Sequence, residues 1–180
     1  MPLLKGTARN VPKGNVPLHR PCATASRSTN PYGYCRCADE PRGLTMVAEE
    51  QALTHRLRTH VDHLAGEIGE RNVFRPTALQ AAASYIEHEW EQQGYAVRRL
   101  AYDVSGVPCL NLEITRTGGV HQREILLIGA HYDTVAACPG ANDNTSGVSA
   151  LLELSRLFAG VEPALTVRFV AFVNEEPPSS

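Results

Sequence analysis

The clearest pattern along the chain is a pair of apolar stretches separated by an amphipathic one. Residues 124–130 and 165–173 are mostly apolar, and both predict strands buried in a sheet. The first is apolar on both faces, as expected of a central strand covered by helices on both sides. Between them, Asn144 or Thr145 can cap a helix that runs to about Ala159. Strand, helix and strand together predict a right-handed βαβ unit.

The preceding sequence predicts two helices and then two strands. Residues 46–66 and 76–93 place apolar side chains at helical spacing, and a proline opens the second helix while a glycine closes it. Residues 95–103 and 109–116 predict strands joined by a Ser-Gly-Val-Pro turn at 105–108, and we expect them to pair antiparallel. The expected fold class is α/β, with a mixed, mostly parallel central sheet and helices on both faces.

Composition divides the chain into two kinds of sequence. Residues 1–43 are rich in Pro, Gly, Ser and Arg and carry seven basic but only two acidic residues, so we expect a disordered basic tail. Residues 44–180 are expected to fold as one domain. The formal net charge of −2 and the lack of any apolar run of ~20 residues predict neither nucleic-acid nor membrane partners. Neither the five cysteines nor the charge indicates a compartment or an oligomeric state.

Side chains suited to metal chemistry follow the two apolar strands. They are His131 and Asp133 after the first strand, Asp143 in the loop before the helix, and Glu175 and Glu176 after the second strand. Ligands of open α/β sheets gather at the carboxyl ends of the strands. We therefore expect these five side chains to lie close together.

A neutral imidazole is a common zinc ligand, which is the role expected for His131. Asp133 lies two residues further on, so in extended chain it points to the same side and can hold the other ring nitrogen. Asp143 can bridge two metal ions with its two oxygens. The simpler alternatives are a solvated histidine at a strand end and an aspartate that caps a helix or turn.

Glu175 and Glu176 project in different directions because they are adjacent in extended chain. One can bind metal while the other removes a proton from the attacking water as a general base. The simpler alternative is a charged loop. His55, His60, His63 and His88 lie on predicted helices among charged residues and are expected at the surface. No nucleophile elbow, P-loop or dinucleotide fingerprint is present in the sequence.

Three blocks in this order resemble the dizinc (co-catalytic zinc) aminopeptidases of the bacterial leucyl aminopeptidase type. They are Gly-Ala-His-Tyr-Asp-Thr-Val at 129–135, Gly-Ala-Asn-Asp-Asn-Thr-Ser-Gly-Val at 140–148, and the strand with its two glutamates at 167–176. The resemblance covers about residues 44–178. It implies a zinc exopeptidase fold of the phosphorylase/hydrolase-like kind, two Zn²⁺ ions, and peptide or protein N-termini as substrates.

The resemblance also implies a role for each site residue. His131 would bind one zinc and Asp133 would orient it, Asp143 would bridge the two ions, Glu175 would be the general base, and Glu176 would bind the other zinc. The family completes its site with one Asp and one His further along, where this sequence has no residues. We therefore expect an N-terminal portion of such an enzyme, inactive by itself.

Two alternatives stay open. The chain could be a non-catalytic fragment or interaction module of the same fold. It could also be a glutaminyl cyclase-like acyltransferase, a class that uses one zinc. In the cyclases the second block resembles Asp-Ser-Ala-Val-Pro, whereas this chain has Asp-Asn-Thr-Ser-Gly at 143–147. That difference favours the peptidases.

Overall fold

The helices and strands follow one another in the predicted order. The computed structural model describes residues 42–176, with side chains from Met46 onward. The helices are α1 (Arg42–Val61), α2 (Pro76–Gln92) and α3 (Ser146–Phe158), and the strands are β1 (Arg98–Val104), β2 (Val107–Arg116), β3 (His121–His131) and β4 (Leu165–Phe172). The predicted disordered tail lies outside the described residues, except for its last two residues, which begin α1.

The helical boundaries follow local sequence signals. α1 continues into a short π-helical segment, Asp62–Ile68. α2 starts at Pro76, where the missing N–H costs no helical hydrogen bond. It is followed by Gly94, whose φ of +85° is readily adopted only by glycine. The buried face of α2 consists of Leu79, Ala82, Ala83, Ile86 and Trp90.

The four strands form one mixed sheet in the order β1-β2-β4-β3. β2 pairs antiparallel with both β1 and β4, whereas β3 and β4 are parallel neighbours connected through α3. The predicted antiparallel pair and βαβ unit are therefore confirmed, as is the α/β class with a mixed sheet. The expectation of a mostly parallel sheet is not met among the described strands, where β3 and β4 are the one parallel pair.

The hydrophobic core lies between one face of the sheet and the helices. Its strand residues alternate along the sequence and so point to the same side: Leu112 and Ile114 of β2, and Val167, Phe169 and Ala171 of β4. On the other face, Glu113 lies 3.4 Å from Arg98 and 4.0 Å from Arg168. The described helices pack on the first face, which corrects the expectation of helices on both faces, and the second face carries these charges.

β3 is an edge strand, which corrects the expectation of a central one. In the described part of the chain it pairs only with β4, and Ile125, Leu126 and Leu127 are 52%, 46% and 54% exposed. An apolar strand sequence shows what could be buried, but strand pairing decides where in the sheet the strand lies.

His60 is a second correction, because it is 3% exposed instead of lying on the surface. Its Nδ1 lies 2.6 Å from the Tyr85 hydroxyl, and its Nε2 lies 3.2 Å from a carboxylate oxygen of Glu153 in α3. His55 and His88 are exposed as predicted. No described helix has the length and apolar character needed to cross a membrane.

Candidate metal centre

Two parallel strands bring the site together at their carboxyl ends. His131 ends β3 and is the register partner of Phe172, which ends β4. The next residue of the first strand, Tyr132, donates its N–H to the carbonyl oxygen of Phe172 at 2.9 Å. Because the two strands end at the same level, the chain that follows β4 carries Glu175 and Glu176 toward His131.

The expected donors meet around the His131 imidazole. One ring nitrogen of His131 and one carboxylate oxygen each from Glu175 and Glu176 lie within 4.8 Å of one another. Nε2 of His131 is 3.1 Å from Oδ1 of Asp143 and 3.8 Å from Oε2 of Glu175. The structure thus collects the four residues expected to bind metal or move protons. Both glutamates are within reach of the ring, so this geometry does not separate ligand from base.

Asp133 is buried next to the cluster and contacts both His131 and the segment that carries the two glutamates. It is 1% exposed, and its Oδ1 lies 3.5 Å from Nδ1 of His131. Its two carboxylate oxygens accept the backbone N–H groups of Glu175 at 3.3 Å and Glu176 at 3.1 Å. The sequence suggested only the contact with histidine, because the approach of residues 175–176 depends on the pairing of β3 with β4.

Asp143 is presented by a tight loop before α3. Gly140, with φ of +63°, starts the loop, and a Cβ there would lie 2.5 Å from the carbonyl oxygen of Asp143. The Asp143–Asn144 peptide bond is cis. Asn144 accepts the N–H of Gly147 at 3.1 Å, which satisfies a free donor in the first turn of α3. The Asp143 side chain is 69% exposed and faces His131.

The charges of the cluster favour a cation. The pKa of Glu176 is raised, first by its partial burial and then by the negative charges of Asp143, Glu175 and Asp133, while His131 opposes the shift. Nδ1 of His131 is buried and makes no hydrogen bond within the described residues. Mixed nitrogen and oxygen donors around mutually repelling carboxylates suit a divalent ion such as zinc.

Residues outside the predicted set hold the glutamate segment. Asn111 of β2 accepts the N–H of Val173 at 2.9 Å, and the Tyr102 hydroxyl of β1 donates to the carbonyl of Val173 at 2.8 Å. Asn174 follows with φ of +59°, which turns the chain toward the cluster. A polar residue inside an apolar strand, such as Asn111, was the available sequence signal for this role.

Comparison with known proteins places this site in a family. Residues 111–178 match the sequence pattern described as Peptidase family M28. Residues 111–178 thus carry the sequence pattern of an M28 peptidase. The matched residues include β4, the loop before α3 and all five predicted site residues, so the expected resemblance to zinc aminopeptidases is confirmed.

The relatives with similar sequences are considerably longer than this chain. YfbL, an uncharacterized protein of Escherichia coli, is 33% identical over 135 residues, which cover 71% of this chain and 41% of that protein. Aminopeptidase YwaD of Bacillus subtilis is 41% identical over 63 residues, covering 35% of this chain and 14% of that protein. The chain therefore spans less than half the length of either relative.

Solved structures share the M28 fold. BSAP, a zinc aminopeptidase from Bacillus subtilis, has a TM-score of 0.62 at 14% identity, covering 69% of this chain and 62% of that chain. A glutaminyl cyclase from Fimbriiglobus ruber has a TM-score of 0.57 at 25% identity, covering 68% of this chain and 45% of that chain. The fold is thus common to a peptidase and a cyclase.

Proposed function

We propose that the whole protein is a zinc-dependent aminopeptidase that hydrolyses N-terminal peptide bonds, and that this segment supplies part of its active site. The observation that carries the proposal is the meeting of His131 with Asp143, Glu175 and Glu176 at one edge of the sheet, inside the stretch that matches M28. The names of YwaD and BSAP, an aminopeptidase and a zinc aminopeptidase, support the same class of reaction and the same metal.

The proposed zinc ligands are His131, Asp143 and Glu176. The resemblance to dizinc aminopeptidases supports two ions in the whole protein, with the Asp143 carboxylate shared between them. Asp133, whose Oδ1 lies 3.5 Å from Nδ1 of His131, is the proposed residue that orients the ring so that Nε2 faces the metal. Three ligands in the described residues are too few for two ions with complete protein coordination, so residues 1–180 should bind fewer than two zinc ions.

Glu175 is the proposed general base. Zinc, when bound, supplies positive charge that polarises the scissile carbonyl and acidifies a water molecule. The Glu175 carboxylate, 62% exposed and 3.8 Å from the His131 ring, is free to take a proton from the attacking water and deliver it to the departing amine. Asp133 fixes the backbone of Glu175 during this transfer.

A Glu175→Gln change in the whole protein tests this role. It keeps the shape of the side chain but cannot accept the proton, so we expect hydrolysis of aminoacyl-4-nitroanilides to fall roughly 10²- to 10⁴-fold. Zinc content, measured by atomic absorption, should stay unchanged. Glu124→Gln, at an exposed glutamate at the start of the apolar part of β3, is the matched control and should alter neither quantity. Activity within a factor of ten of the parent would exclude Glu175 as the base.

Two other functions would give different results. The cyclase structure with a TM-score of 0.57 supports a glutaminyl cyclase-like acyltransferase as a second candidate. Such a protein would bind one zinc and convert N-terminal glutamine to pyroglutamate without cleaving nitroanilides. A non-catalytic module of the same fold would do neither reaction.

A further inference from the structure

Arg71 is a fully buried arginine, and no carboxylate of residues 42–176 lies within hydrogen-bonding distance of it. It is 0% exposed, and its guanidinium lies within hydrogen-bonding distance of five acceptors, three of which share the two N–H groups of Nη1. The acceptors are the carbonyl oxygens of Leu64, Gly69, Tyr132 and Pro139 and the hydroxyl of Thr145. All five acceptors are neutral, so this is not a buried ion pair.

Three of these acceptors belong to the two segments that carry His131 and Asp143, and the other two lie in or next to the π-helical segment after α1. Tyr132 lies directly after His131, and the bond from Nε holds its carbonyl. Pro139 and Thr145 lie on either side of Asp143 and accept from Nη1 at 2.8 Å and Nη2 at 2.6 Å. One guanidinium therefore fixes the end of β3 and both ends of the Asp143 loop.

The backbone of Arg71 strengthens the attachment to β3. Its N–H donates to the Thr134 hydroxyl at 3.1 Å, and its carbonyl accepts the Thr134 N–H at 2.9 Å. The neighbouring Asn72 donates to the Thr134 carbonyl at 3.2 Å. The segment around Arg71 thus pairs with the chain just beyond His131 and Asp133.

Lysine cannot reach acceptors in so many directions as arginine does here. The planar fork of arginine presents five N–H donors in fixed directions, whereas a lysine offers three donors from one atom. Burial lowers the pKa of Arg71 to about 10, and the nearby Asp133 charge acts in the opposite direction, so the side chain stays protonated at neutral pH. A buried charge balanced mainly by carbonyl dipoles is costly to keep, which points to a positional role.

We propose that Arg71 is a positioning residue for the metal centre, which sets the separation of His131 and Asp143 by clamping the chain on both sides. The inference rests on the proposed function, since it concerns the geometry of the same ligands. Changes in residues that support metal ligands weaken metal affinity by roughly 10- to 100-fold. An Arg71→Lys variant retains charge but loses the fork, so it should show a loss of that size.

The experiment titrates residues 1–180 and their variants with Co²⁺ and Zn²⁺, using Co²⁺ absorption and chelator competition. Arg71→Lys is compared with Ser155→Ala, a matched control for lost buried hydrogen bonds. Ser155 is also 0% exposed and contacts Trp90 and Gln93 between α2 and α3, away from the cluster. We expect at least tenfold weaker binding and an altered Co²⁺ spectrum in Arg71→Lys, and unchanged values in Ser155→Ala.

The outcomes separate this inference from the proposed function. Equal metal affinity in the parent and Arg71→Lys would overturn the positioning role and leave the metal site standing. Failure of the parent to bind either ion up to millimolar concentration would show that residues 1–180 do not hold a metal by themselves, which bears on the segment and not on Arg71. Amide exchange in the metal-free chains then decides the inference: faster exchange of 131–134 and 139–145 in Arg71→Lys supports it, and unchanged exchange overturns it.

A gentler variant covers the case in which Arg71→Lys does not fold. Thr145→Val removes one of the five acceptors and preserves the shape of the side chain. It should weaken metal binding by roughly 3- to 10-fold, a fraction of the effect expected for a supporting residue. Parent-like affinity and amide exchange in this variant would overturn the inference as well.

Discussion

β3 and β4 are similarly apolar parallel neighbours, but they are held in the sheet differently. β4 pairs with a strand on each side, and Val167, Phe169 and Ala171 are at most 2% exposed. β3 pairs with β4 alone among the described strands, and Leu126 and Leu127 are about half exposed. One strand is thus part of the core, and the other is at its edge.

The difference extends to the two halves of the metal centre. Glu175 and Glu176 follow the fully paired strand, and Asn111 and Tyr102 hold the chain just before them. His131 ends the edge strand, where sheet pairing supplies support on one side only. We infer that the half of the site that contains His131 needs support from outside the sheet, and Arg71 lies there.

The largest expected contrast is between core truncations in the two strands. Phe169 is 0% exposed and packs edge-to-face on Phe158 at 5.6 Å, so Phe169→Ala should lower the free energy of unfolding by about 3–5 kcal/mol. Leu127 is 54% exposed, so Leu127→Ala should cost below about 1 kcal/mol. Urea unfolding of the two variants measures the difference. Similar losses would show that β3 is buried as deeply as β4.

A substitution in the helix layer should lower the free energy of unfolding for both strands. It should leave the difference between the Phe169 and Leu127 variants unchanged. Glu153 of α3 is buried, and burial alone would raise its pKa, but hydrogen bonds from Arg56, His60 and Arg156 outweigh this and lower it. Removing the charge by Glu153→Gln leaves the partners incompletely paired, so we expect a loss of about 2–3 kcal/mol at pH 7.

The pH dependence of this loss has a definite sign. A carboxyl whose pKa is lowered on folding stabilises the native state above its unfolded pKa, near the ordinary value of 4.5. This stabilisation is lost as the pH falls through the lower pKa that the carboxyl has in the folded state. The gap between the parent and Glu153→Gln in urea unfolding should therefore be constant from pH 7 to about 5 and narrow below 4.5. A gap that widens in acid would contradict the network.

The smallest expected effect concerns the support of the glutamate segment. Asn111→Ala leaves the N–H of Val173 without its acceptor, which should cost about 1–2 kcal/mol. Amide exchange should become faster at residues 173–176 and stay unchanged at 131–134, because Arg71 holds the latter. The exposed Asn142, changed to alanine, is the control. Equal acceleration in both segments would show that the two halves of the site are not held separately.

The sequence alone predicted those features that depend on the local pattern of apolar and polar residues. The βαβ unit followed from two apolar stretches around an amphipathic helix, and the five site residues followed from their places after strands. The sequence did not predict that β3 lies at the edge of the described sheet or that His60 is buried. It also did not predict the contacts of Arg71 with the segments around the site. Each depends on contacts between segments far apart in the chain, such as Arg71 with Thr145, and a lone arginine or histidine carries no local sign of such a partner.

The open edge of β3 also has a consequence for solubility. Where no described strand pairs with it, alternate N–H and C=O groups of β3 face solvent between exposed aliphatic side chains. Such an edge is a template for strands of other molecules, and association through it increases with protein concentration. The strand that ends at His131 also presents a pairing surface to other copies of the segment, so metal titrations require dilute samples.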